Sequence, residues 1–271
     1  TLGRKSLDIY KSVADLMGEV EARNQLLLIN LAAGNCKEAI QHGQHALSIA
    51  RRTRHRDGEA RIAANLGEVY RYLGEWKQAR NSYLLALEIA QEHGITYGIA
   101  LMENNLAALS IEESNLAEAR QRLDKAHSLI EEIGSQAVLA ELYRHRGALS
   151  LAENQFKEAL EWLEQSLECG EAQENHREIG RTQRLLAEIY LQRSNYPEAL
   201  SALAKAEEIA REQQDRFGLA QTLMTKARYH HGLGESTEAF TWLDKAMQKF
   251  EVLGAQHELN QAKQLHHQWQ R

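Results

Sequence analysis

The chain holds a single proline, Pro197, and only five valines in 271 residues. Strands draw on β-branched residues and their turns on proline, so this scarcity excludes an all-β fold and a large parallel sheet. No run of about 18 apolar residues is present, which leaves no membrane-spanning helix, and no signal-peptide pattern opens the chain. Two cysteines, Cys36 and Cys169, cannot make a disulfide framework, so the expected compartment is the reducing cytoplasm. Lys and Arg number 32 against 38 Asp and Glu, a net charge of −6. Nucleic-acid binders neutralise phosphates with a basic excess, so neither nucleic acid nor membrane is an expected partner. Phosphate-binding glycine loops and a nucleophile elbow are also missing. No cofactor and no enzymatic activity are expected. The twelve histidines bring no convergent metal-ligand spacing.

What is present is helical and periodic. Ala39, Ala79, Ala119, Ala159, Ala199 and Ala239 recur every 40 residues. Seven residues after each stand Ala46, Ala86, Ala126, Ser166, Ala206 and Ala246, on the same helical face two turns on. Large residues fill further columns with the same period. Tyr83, Leu123, Leu163, Leu203 and Leu243 form one, and Ile29, Val69, Leu109, Leu149, Ile189 and Tyr229 another. Gly34, Gly74 and Gly234, with Ser114, Asn154 and Ser194 at the equivalent places, mark a turn inside each unit. Gly18, Gly58, Gly98 and Gly218 read as breaks between units.

Each unit is therefore two helices. In the second unit the first helix is expected over 59–73 and the second over 76–92. A lone helix pair cannot bury these faces, whereas a stack can. The expected fold is all-α: a right-handed α-solenoid, a superhelix of stacked antiparallel helix pairs. Six full units are expected at 15–54, 55–94, 95–134, 135–174, 175–214 and 215–254. Residues 1–14 read as the second helix of a truncated unit, which implies further chain upstream. Residues 255–271 read as a capping helix with Trp269 buried, and both cysteines and His127 fall in core columns.

The residues Asn65-Leu66-Gly67 with Tyr70, Gly74, Trp76, Ala79, Tyr83 and Ala86 resemble the tetratricopeptide repeat (TPR) family. The 40-residue period resembles two of its long-helix subtypes. One is the Leu-Gly-Asn type of adaptor, which binds extended peptides. The other is the sensor arm of bacterial signal-transduction ATPases. The resemblance implies a concave groove lined by the first helices and a non-enzymatic protein-binding role.

On those helices the stripe opposite the core supplies Arg61, Asn65, Glu68 and Tyr72 in unit two, and Asn104 and Asn105 in unit three. It continues with Arg144 and His145, then Arg181, Arg184, Glu188 and Gln192, then Arg228. In the Leu-Gly-Asn type, Asn and Arg at such positions hold the peptide, and Asn65, Asn105, Arg144, Arg181 and Arg184 match in kind. The arginines imply an acidic peptide or protein segment as partner. The second expectation is a regulatory arm that binds a ligand or upstream domains of its own polypeptide. An unliganded polar face would instead pair internally, as Arg184 with Glu188 at i, i+4.

Overall fold

The structure is a computed structural model that describes residues 2–271; Thr1, within the expected 1–14 segment, lies outside the described residues. It is all helix and turn. The first elements are α1 (Leu2–Ser12), α2 (Leu16–Ala32), α3 (Cys36–Arg52), α4 (Arg56–Tyr72), α5 (Trp76–Glu92), α6 (Thr96–Glu112) and α7 (Leu116–Ile133). Then come α8 (Leu139–Ala152), α9 (Phe156–Ala172), α10 (His176–Gln192), α11 (Tyr196–Glu212), α12 (Arg216–Gly232), α13 (Ser236–Leu253) and α14 (Gln256–Trp269). Each even helix from α2 to α12 packs antiparallel on the odd helix that follows it. Even helices also touch each other directly, α2 on α4, α6 on α8, α8 on α10 and α10 on α12. They form the inner wall, and the odd helices the outer one.

The alanine columns explain the close approach. Ala39, Ala79, Ala119, Ala159, Ala199 and Ala239 are all fully buried. Ser166 stands in an alanine column without leaving an orphan hydroxyl: it donates to the Ala140 carbonyl at 2.7 Å and meets Thr182 Oγ1 at 2.9 Å. Tyr83 is fully buried and reaches through the core so that its hydroxyl donates to Glu68.

The turn chemistry differs in part from the reading of the glycines. Turns inside units do fall at Gly34, Gly74, Ser114, Asn154, Ser194 and Gly234, all with positive φ. Breaks between units do not fall at Gly18, Gly58, Gly98 and Gly218, which lie inside helices α2, α4, α6 and α12. They fall at Ala14, Arg54, Gly94, Gly134, Glu174, Gln214 and Gly254, again with positive φ. Both kinds close alike: Asn35 N–H donates to the Asn30 carbonyl, and His55 N–H to the Ala50 carbonyl, both at 2.8 Å. The glycines in the first turns answer to packing instead. A Cβ on Gly18 would lie 2.1 Å from the Tyr10 ring. Helix α4 accordingly starts before residue 59, while α5 keeps the expected limits.

Other expectations need correction. Ile29 is 50% exposed, although Val69, Leu109, Leu149, Ile189 and Tyr229 in its column are buried. Trp269 is half-buried and stacks on His231 with ring centroids 4.3 Å apart. Cys169 and His127 are likewise half-buried, because the outer helices leave their far sides open; Cys36 is buried. Trp162 folds back on Tyr143 at 5.6 Å, and Trp242 lies between the Lys226 and Lys245 ammonium groups.

The period does not reveal how far the superhelix advances per turn. Here one turn closes on itself, so that the turns at 33–34 and 73–76 rest on those near 216 and 254–257. Arg216 donates to the Ala33 carbonyl at 3.0 Å. Tyr72 packs on Phe217 at 4.1 Å, and Trp76 meets the edge of His257 at 4.8 Å. Gly34 and Gly74 combine positive φ with this seam. A Cβ would meet Leu253 at 2.3 Å in the first case and His257 at 2.5 Å in the second. Gly234 has the same backbone shape and nothing within 4 Å, so its glycine serves the turn alone.

Candidate functional site

Closure turns the expected open groove into a cavity of about 570 Å³. It is lined by the C-terminal halves of α2 and α4, by Glu112 of α6 and Arg144 of α8, by the N-terminal halves of α10 and α12, and by Glu258 in the first turn of α14. Of the thirteen groove residues expected, Glu68, Tyr72, Arg144, Arg181 and Arg184 line it. The remaining eight do not, and most are spent on contacts between neighbouring inner helices.

Asn65 donates to Asn24 on α2 at 2.8 Å, and Arg61 pairs with Glu21 on the same helix. Asn104 is fully buried and accepts from His145 Nδ1 at 2.9 Å. Arg144 donates to His145 Nε2 at 2.9 Å. Burial and the adjacent Arg144 charge hold His145 well below the usual histidine range, so it is neutral, with its proton on Nδ1. Asn105 is buried, and Glu188 accepts from Arg184 and Thr225 at 3.3 Å each. Gln192 is exposed and Arg228 half-buried, both away from the cavity lining. Asn104, Asn105 and His145 are thus core residues rather than groove residues. Asn104 on α6 and His145 on α8 meet where these two inner helices touch.

Two ion networks cross the inner wall. In the first, Arg71 bridges Glu68 on its own helix, at 3.2 Å, and Glu112 on α6, at 2.8 Å. Burial alone would raise Glu68, but Arg71 and the Tyr83 hydroxyl outweigh it and hold the carboxyl below its ordinary range. Burial wins at Glu112, whose carboxyl is raised. In the second network Glu178, only 5% exposed, takes Arg144 and, at 3.5 Å, Arg181. Those two arginines outweigh burial and lower Glu178; burial and Glu178 together raise Glu141.

Sequence reasoning missed Leu28, Leu31, Arg71, Arg177, Phe217 and Glu258, all in the lining. Arg71 could have been found, because it sits at i+3 from Glu68. Phe217 and Glu258 could not, since only closure brings α12 and α14 to α2 and α4. Glu258 is 8% exposed, with one carboxylate oxygen lacking a partner. Burial pushes its pKa up to about 7.

Stacked antiparallel helix pairs with an inner wall of alternate helices define a tetratricopeptide-type solenoid. The chain belongs to the MalT-like TPR region family, whose model matches residues 18–270. No curated protein sequence matches it. Among solved structures it is similar to a Rap protein complexed with Competence and Sporulation Factor. That match has a TM-score of 0.71 and 18% identity over 94% of this chain and 76% of that one. The apo form of RapI is similar at a TM-score of 0.72 and 14% identity, over 92% and 90% of the two chains. A signal-transduction ATPase with numerous domains and a tetratricopeptide repeat sensor, from Pyrococcus horikoshii, matches at 0.62 and 17% identity. That match covers 90% of this chain and 37% of the ATPase. Identities this low show a shared fold. Among the described residues no helix is long and apolar enough to cross a membrane.

Proposed function

We propose that the chain is a non-catalytic recognition module of the cytoplasm whose inner wall takes up a short anionic segment of a protein or peptide. The observation that carries this is Arg177, Arg181 and Arg184 on one face of α10, all lining a cavity to which seven inner helices contribute. An arginine fork suits a carboxylate bidentately. Closure limits the occupant to a short segment rather than a long extended strand.

The arginines are not equivalent as probes. Arg144 is held in the buried network, so its reversal to glutamate would perturb folding as well as capture. Arg177 is exposed and has no carboxylate partner among the described residues. Arg177→Glu is therefore expected to weaken capture of a labelled Asp/Glu-rich peptide at least about tenfold by fluorescence anisotropy, with helicity unchanged. Capture by the unaltered protein should fall as salt rises from about 0.05 to 0.3 M. Equal capture by both proteins at all salt concentrations would count against the reading.

A second reading is favoured by the MalT-like family match and by the seam. As the sensor arm of a larger regulator, the module would hold a ligand in the cavity. Tyr72 and Phe217 line that cavity and also form the seam, so occupancy and ring closure would be linked through the same side chains. The partner would then be upstream domains of the same polypeptide.

A further inference from the structure

We propose that the cavity binds a small amphipathic carboxylate, its head on Arg177, Arg181 and Arg184 and its apolar body against Leu28, Leu31 and Phe217. This rests on the reading of the module as an arm that holds a ligand in the cavity, and names the class of that ligand. About 570 Å³ lies within the range of pockets for small organic ligands, roughly 300–1,000 Å³.

The two sides of the cavity differ in chemistry. On α2, Leu28 stands one repeat from Glu68, and Leu31 one repeat from Arg71. That helix therefore offers hydrocarbon where its neighbour offers charge, and Leu28 is 43% exposed. Phe217 stands one repeat from Arg177 and carries the apolar lining onto α12. Hydrocarbon exposed inside a cavity gains free energy when an apolar group covers it.

On the other side, five arginines line the cavity against four carboxylates, and burial pushes one of these, Glu258, up to a pKa of about 7. The carboxylates of α4 and α6, Glu68 and Glu112, are both taken by Arg71. Asp215 caps α12 by accepting from Gly218 N–H at 2.9 Å. On α10, Glu178 is shared between Arg144 and Arg181, and Arg184 reaches Glu188 only at 3.3 Å. Among the described residues Arg177 has no such partner. Burial and the nearby Arg144 and Arg181 charges lower the Arg184 pKa, the strain that an incoming anion relieves. A cation of the same shape meets repulsion here, and a bare anion leaves the leucines uncovered.

Isothermal titration calorimetry on the whole chain tests this, with decanoate, decyltrimethylammonium and acetate as probes below their micelle concentrations. Decanoate is expected to bind saturably at one site, at least about tenfold tighter than acetate, with no binding of the cation. Arg177→Gln and Leu28→Gln should each weaken decanoate at least about tenfold while circular dichroism stays unchanged. Absent decanoate binding, equal binding of the cation, or indifference of both variants would overturn the proposal. If the Asp/Glu-rich peptide is captured through Arg177 while decanoate fails, the ligand class falls and the recognition surface stands. If neither binds, both fall.

Discussion

Replacing Arg144 with leucine is expected to destabilise the protein by about 3–5 kcal/mol, among the largest effects of any single inner-wall substitution. Arg144 is 13% exposed and ties together three groups, Glu178, Glu141 and His145. Its removal leaves Glu178 buried with only the more distant Arg181, and takes from Glu141 its 3.7 Å contact, so that both carboxylates depend on Arg181. Uncompensated buried charge is what makes half of an ion pair costlier to lose than the whole. The double variant Arg144→Leu/Glu178→Leu should therefore recover most of the loss. Urea unfolding of both proteins checks this. A single-variant effect under about 1 kcal/mol, or no recovery in the double variant, would show that the network is solvated.

Glu258→Gln is expected to stabilise the protein above pH 7 and to leave it unchanged at low pH. Burial raises the Glu258 pKa from 4.5 to about 7. Glu112 on α6 adds to the rise, and Arg71 on α4 and Arg184 on α10 oppose it. Below pH 4.5 the carboxyl is protonated in both folded and unfolded chains, so there is no difference. Between 4.5 and 7 the folded chain holds a proton that the unfolded chain has lost, so stability falls as pH rises. Above 7 the loss is complete, on the order of 3 kcal/mol for a shift of this size. Glutamine carries no such penalty. Thermal melts of both proteins at pH 4 and pH 8.5 should agree at the lower value and diverge at the higher. Equal melting at both would place Glu258 in solvent.

The sequence made the repeat legible because small residues can be read where helices must approach. The alanine columns follow from that constraint, and the turns at Gly34 and Gly74, the second of which bounds α5 on its N-terminal side, follow from the need for positive φ. The glycine columns misled because two pressures select glycine. Gly74 needs positive φ, whereas Gly18 sits in a helix and only avoids Tyr10. The site was half legible for a different reason. Helical periodicity says which side of a helix faces inward, and so identified Glu68, Tyr72, Arg144, Arg181 and Arg184. It does not say which inward-facing residues pair with the next inner helix. The contact between neighbouring inner helices buried Asn104 and His145, and closure brought Phe217 against Tyr72 from far along the chain.

One superhelical turn closes and encloses the inner wall. The direct measurement is disulfide formation in the double variant Gly74→Cys/His257→Cys. A Cβ at position 74 lies 2.5 Å from the His257 Cβ, so about 1 Å of give reaches the roughly 3.5–4.5 Å of a disulfide. Burial pushes the Cys36 thiol up to about 11 and raises Cys169 as well, which keeps both protonated and slow to react. Mild oxidation is expected to give one intramolecular crosslink, seen as faster migration without reductant, at unchanged helicity. Two thiols that stay free and open to maleimide under the same conditions would contradict closure, and with it the enclosed site.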